Sequence, residues 1–114
     1  MNKGVSVVVY PVQDIASART LFTRLLGTAP DYDDPSYVGW LVDEQHIGLD
    51  PNGASRGMTG ATPFFEVEDI RATLASLLEA GGELVEDVWD VGGGGLIAMV
   101  KDIEGNMIGL SQSL

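Results

Sequence analysis

The chain contains no cysteine, a single histidine and only six lysines and arginines among its 114 residues. The missing cysteines exclude a disulfide scaffold, a thiolate zinc site and a cysteine nucleophile. Six basic residues against seventeen acidic ones leave a net charge of −11. Nucleic-acid affinity rests on basic groups that displace condensed counterions, so no nucleic-acid partner is expected. Anionic membrane surfaces are disfavoured for the same reason. Long apolar runs are also missing: Val7 to Val9 and Leu96 to Val100 fall far short of the roughly 20 residues that a spanning helix needs. The opening Met1-Asn2-Lys3-Gly4 leads straight into a β-branched run, without the basic region, apolar core and cleavage site of a secretory signal. A cytoplasmic location is the expectation.

What is present is the balance of one globular domain, 45% hydrophobic and 20% charged, in a chain long enough to bury a core without covalent help. Its organisation emerges when the chain is compared with itself. Val12-Gln13-Asp14-Ile15 matches Val67-Glu68-Asp69-Ile70, and each follows a β-type run, Val5 to Tyr10 and Phe64 to Val67. Each is followed by a helical pattern. Ile15, Ala18, Leu21, Phe22, Leu25 and Leu26 recur at three- and four-residue spacing up to Gly27, and Ile70, Leu74, Leu77 and Leu78 draw a similar stripe up to Gly81-Gly82. Such stripes face a core. Asp14 and Asp69 stand where a carboxylate accepts the orphan N–H groups of the first turn, so both read as N-caps.

Three β-type segments follow each helix. In the first half they are Ala29 to Asp33, Tyr37 to Val42 and Gln45 to Asp50; in the second, Glu83 to Val91, Leu96 to Lys101 and Asn106 to Gln112. Turn residues separate them. The last strands match as His46-Ile47-Gly48-Leu49-Asp50 against Met107-Ile108-Gly109-Leu110-Ser111. The reading is one domain with a first βαβββ module over about 4–50, a polar linker over 51–60 and a second module over 61–112. The linker leaves the modules free to pair with each other or with those of a second chain.

These features resemble the vicinal oxygen chelate superfamily, which includes glyoxalase I, extradiol dioxygenases and bleomycin-resistance proteins. The resemblance covers nearly the whole chain. It is carried by the strand-Val-x-Asp-Ile-helix entry of both halves and by Asp102-Ile103-Glu104-Gly105-Asn106-Met107-Ile108, similar to the family's Asp-Pro-Asp-Gly-Asn-apolar-apolar signature. It implies an α+β fold of two βαβββ modules, a curved mixed-sheet cup with helices outside, commonly in a homodimer with the ligand in the cavity.

The resemblance also places metal ligands at four equivalent positions, which fall here on Val7, Gly48, Thr62 and Gly109. Valine and glycine carry no donor, and one threonine hydroxyl is a poor ligand for a divalent cation. No metal and no cofactor are therefore expected. His46 and Asp50 share a strand face and are the two residues with which a displaced metal or a metal-free acid–base site would start. The cluster Asp31, Asp33 and Asp34 and the alternating Glu66 and Glu68 read as solvated surface. Gly92 to Gly95 lacks the Lys-Ser/Thr and helix of a phosphate loop and reads as a hairpin or rim loop. If Thr62 faces the cavity then Phe64 does too and Phe65 faces away; Met107 and Ser111 share Gly109's face. The expected guest is a small apolar or aromatic molecule held by Val7, Tyr37, Trp40, His46, Gly48, Asp50, Thr62, Phe64, Trp89, Met107 and Gly109. The expected function is metal-free binding of the kind that sequesters a drug or metabolite. A lyase, isomerase or oxygenase is the competing reading.

Overall fold

The computed structural model describes residues 2–113. Their order is β1 (Asn2–Pro11), α1 (Ile15–Leu26), β2 (Tyr32–Asp34), β3 (Tyr37–Val42), β4 (Gln45–Asp50), a single 3-10 turn (Ala54–Arg56), β5 (Thr62–Val67), α2 (Ile70–Glu79), β6 (Glu83–Gly92), β7 (Gly95–Lys101) and β8 (Met107–Gln112). This is the α+β pattern of two βαβββ modules. The backbone groups into two compact units, one of Val7–Ala61 and one running from Thr62 onward together with β1 up to Ser6.

In the first unit β1 lies parallel to β4, β4 antiparallel to β3, and β3 antiparallel to β2. One face of this sheet meets α1. Val38, Trp40 and Leu49 form its buried centre, with Ile15, Ala18, Phe22 and Leu26 of the helix packed on it. These four belong to the apolar stripe of the sequence; its two other members, Leu21 and Leu25, are exposed. Aromatic rings set the contact, with Tyr10 and Phe22 centroids 5.0 Å apart and Phe22 and Trp40 6.1 Å apart. The Trp40 indole N–H donates to the Thr28 carbonyl at 3.0 Å, so the one polar atom of this buried ring is satisfied.

The second unit repeats the arrangement. β5 is parallel to β8, which runs antiparallel to β7, itself antiparallel to β6. Val67, Ile70, Leu74, Ala98, Val100 and Leu110 form the core between sheet and α2. The capping aspartates act as expected: Asp14 accepts from the Ser17 N–H and Asp69 from the Ala72 N–H, both at 3.1 Å. α1 stops at Gly27, whose left-handed φ of 76° few side chains tolerate.

Two details go beyond the sequence reading. β2 begins only at Tyr32, because residues from Gly27 to Asp31 carry the chain from the helix to the sheet edge. The segment between the repeats is folded: it holds the 3-10 turn, buries Met58 and receives a tether from Asp50. Among the described residues no helix is long and apolar enough to cross a membrane.

Candidate functional site

The two equivalent last-strand positions are glycines, and in each case an aromatic ring of the same unit occupies the space a side chain would take. A Cβ built on Gly48 would lie 1.8 Å from the Tyr37 hydroxyl oxygen and 2.4 Å from its Cζ. One built on Gly109 would lie 2.4 Å from Phe64 Cδ2. Neither glycine has the positive φ that makes glycine obligatory for backbone reasons, so the rings are the constraint. Neighbouring strands do not close the space by backbone approach; side chains fill it. In the second unit the ring comes from the paired strand, since Phe64 stands directly beside Gly109. In the first, Val9 stands beside Gly48 and the ring arrives from β3, where Tyr37 lies across both Gly48 and Gly39.

The placement of Tyr37 follows from the turn before it. Asp34 accepts from the Ser36 N–H at 2.9 Å and from the Ser36 hydroxyl at 2.6 Å, fixing a tight link that pairs Asp34 with Tyr37, Asp33 with Val38 and Tyr32 with Gly39. Strand alternation puts Tyr32, Tyr37, Gly39 and Leu41 on the face away from α1. Gly39 pairs with Gly48, and Leu41 with His46, so the β4 residues of that face are His46, Gly48 and Asp50. On this face a hollow of about 240 Å³ is lined by Asp31, Tyr32, Tyr37, Gly39, Trp40, Leu41, His46 and Ile47, while the space over Gly48 is taken by the Tyr37 ring. The Tyr32 and Tyr37 rings are 6.3 Å apart and tilted by 54°. Asp31 is pinned to β3, its N–H donating to the Gly39 carbonyl at 2.9 Å and its Oδ2 accepting from the Leu41 N–H at 2.7 Å.

Asp50 is buried and occupied. Its Oδ2 is 2.8 Å from Arg56 Nη1 and its Oδ1 accepts from the Asn52 N–H at 2.8 Å. Burial pushes the Tyr37 phenol above its usual range and the Asp50 charge adds to this, against a smaller opposite pull from Arg56. Asp50 is therefore a loop anchor, outside the hollow that His46 lines. The other acids of the cluster are engaged too: Asp33 pairs with Arg19 at 2.6 Å and Asp34 caps the turn.

Of the other sequence candidates, Val7 pairs with exposed His46, while Thr62, Phe64 and Met107 are buried in the second unit. Trp40 is 1% exposed and its ring packs toward α1. Trp89 sits on β6, 42% exposed. Phe65 faces the other way from Phe64, as alternation requires, and joins Val67, Thr73, Leu77, Ile108 and Leu110 around a recess beside α2. Sequence reasoning missed Asp31, Tyr32, Gly39, Leu41 and Ile47 as lining residues. The signal that places Tyr32 is the register across the Asp34–Tyr37 turn, which composition does not reveal.

Residues 4–110 match the family model described as Glyoxalase/Bleomycin resistance protein/Dioxygenase superfamily. The chain belongs to that superfamily. A search of curated protein sequences finds no significant match. Among solved structures, this superfamily member is similar in fold to a glyoxalase/bleomycin resistance protein/dioxygenase superfamily member from Vibrio splendidus 12B01, with 18% identity, 99% of this chain and 100% of that one covered, and a TM-score of 0.72. It is also similar to a variant of Streptomyces coelicolor methylmalonyl-CoA epimerase in complex with 2-nitronate-propionyl-CoA, with 12% identity, coverage of 99% and 96%, and a TM-score of 0.74. The Mn(II)-bound glyoxalase from Novosphingobium aromaticivorans matches with 17% identity and a TM-score of 0.69, over 98% of this chain and 40% of that one.

A divalent metal at the four positions that the family resemblance implies does not fit this superfamily member. Gly48 and Gly109 offer no donor, and a donor side chain grown there would collide with Tyr37 or Phe64. Val7 is apolar, and the Thr62 hydroxyl is fully buried. Among the described residues no three His, Asp or Glu side chains gather closely enough to hold a metal ion elsewhere.

Proposed function

We propose that this superfamily member is a small-molecule-binding protein that works without a metal, taking a small apolar or aromatic guest in the hollow beside Gly39. The observation that carries this reading is a hollow at the bare Gly39 walled by two tyrosine rings. Tyr32 and Tyr37, with ring centroids 6.3 Å apart, both line it. A hollow of about 240 Å³ lies just under the roughly 300 to 1,000 Å³ of drug-sized sites, which suits a guest of about one ring. Binding then sequesters or carries the guest. A homodimer in the cytoplasm is the proposed setting.

A native mass spectrum of the purified protein, followed by thermal-shift measurements against a panel of single-ring compounds, tests this. The expected result is a metal-free protein that retains an organic adduct or is stabilised by a subset of the panel, with Tyr32→Ala abolishing the stabilisation. Stoichiometric metal whose removal abolishes an activity overturns it.

One observation favours an acid–base enzyme as second reading: His46, the only histidine, lines the hollow. A turnover lost in His46→Ala but retained in Asp50→Asn would support it, since Asp50 lies outside the hollow.

A further inference from the structure

We infer that the guest of this hollow carries a positive charge on an alkylated nitrogen, a tertiary or quaternary ammonium group. This rests on the reading that the hollow is the binding site and adds the chemical class of what enters. Three features of the hollow converge on it.

The first is the pair of tyrosine rings. At 6.3 Å between centroids and a 54° tilt they form two walls of a corner, and a cation in that corner lies within the roughly 6 Å of each ring face over which the ring quadrupole attracts it. The second is Asp31. It lines the same hollow, and its carboxylate is held in place by the Leu41 N–H. Among the described residues it forms no ion pair: Arg19, which reaches this part of the sheet, is committed to Asp33. The third is that Asp31 is the single anionic group among the lining residues. Besides Asp31, the side chains of this face that line the space are two phenols, one imidazole and Leu41, with Trp40 and Ile47 reaching it from positions whose side chains turn toward α1. A primary ammonium would bring three N–H donors that need partners, whereas an alkylated one presents methyl and methylene groups that rings and Leu41 can cover. The net charge of −11 acts in the same direction by concentrating cations near the surface and repelling anions.

The geometry of the hydrogen bond to Leu41 makes the charge separable from the structure. Asp31→Asn keeps an oxygen acceptor for that N–H and removes only the charge. Tyr32 is 56% exposed, so Tyr32→Ala removes one wall without emptying a core.

The test is an amide-shift titration of the full chain with choline and, separately, with its neutral isostere 3,3-dimethyl-1-butanol, at fixed ionic strength. The expected result is that choline shifts the amides around Asp31, Tyr32, Gly39, Leu41 and His46. It should bind at least tenfold more tightly than the isostere. Asp31→Asn should weaken choline about fivefold or more and leave the isostere unchanged, and Tyr32→Ala should weaken both. Equal affinity for choline and isostere at those residues overturns the charge while leaving the hollow as the site. Choline affinity unchanged in Asp31→Asn overturns it as well. No shift at those residues with either probe overturns both the charge and the site.

Discussion

Replacing Gly48 by alanine is a sharp test of the aromatic plug. The added Cβ would sit 1.8 Å from the Tyr37 oxygen and 2.4 Å from its Cζ, where unstrained heavy atoms stand about 3.5 Å or more apart. Tyr37 must move by roughly 1.5 Å, or the strand must yield. Over-packing of this kind costs about 1–3 kcal/mol, and we expect about 2, a fall in Tm of roughly 8 °C for a domain of this length. Removing the ring first reverses the sign. Tyr37→Ala itself should cost about 2 kcal/mol for lost burial, but in that background Gly48→Ala meets open space and gains about 0.5 kcal/mol from reduced unfolded-state entropy. Four proteins compared by urea unfolding give a coupling of about 2.5 kcal/mol. Gly39→Ala, whose Cβ would lie 3.2 Å from the same ring, is a milder control and should cost under about 1 kcal/mol. If Gly48→Ala costs the same with and without Tyr37, within the roughly 0.5 kcal/mol scatter of independent sites, the ring is not what keeps position 48 bare.

Other consequences are equally measurable. Arg56→Ala strands the Asp50 carboxylate, 8% exposed in its side chain, and should lower stability by about 3 kcal/mol while Asp50→Asn costs less. The β3–β4 hairpin turns through Asp43 and Glu44 at φ 48° and 71°, so Glu44→Gly should stabilise by about 1 kcal/mol. In acid, Asp14 is held below its ordinary value of 3.8 by the Ser17 N–H and hydroxyl, Asp34 by Ser36 and Asp102 by Asn106. The stability they supply is complete above 3.8 and is lost as pH falls through their lower folded values. The urea midpoint should drop in that window, and less steeply in Asp102→Asn. At the alkaline end Tyr37 behaves oppositely. Its raised value means that stability is present below about pH 10 and lost as pH climbs toward the folded value. A late phase in 295-nm absorbance that vanishes in Tyr37→Phe would report it.

Much of the fold was legible because its signals are local. The stripe from Ile15 to Leu26, the caps at Asp14 and Asp69, and the Asp102–Asn106 turn, where Asp102 accepts from the Glu104 and Asn106 N–H groups, each declare themselves within a few residues. The repeat then multiplies each signal by two. The site was less legible because it depends on register. That Gly39 stands opposite Gly48, and Tyr32 opposite Gly39, requires knowing how two turns set three strands, and a shift of one residue would send every side chain to the other face. His46 and Asp50 share a face as alternation predicts. Alternation is silent on the loop that follows, which claims Asp50 through Arg56. Trp40 illustrates the same limit: its even-numbered position on β3 turns the ring toward α1, yet the residue still borders the hollow.

The two plugged glycines also bear on how such a chain can change. A histidine or glutamate arising at position 48 would meet the Tyr37 ring, and one at position 109 would meet Phe64. Each donor is thus unfavourable until the aromatic has gone, and losing the aromatic first leaves a gap that favours nothing. Either route passes through a less stable single variant, in both halves of the repeat independently. Selection acting one substitution at a time would find the path toward a donor-bearing site uphill at its first step, so the bare positions are self-locking. The protein's freedom to vary lies instead at the rim, where Asp31, Tyr32 and Leu41 are exposed and alter the hollow without disturbing the plug.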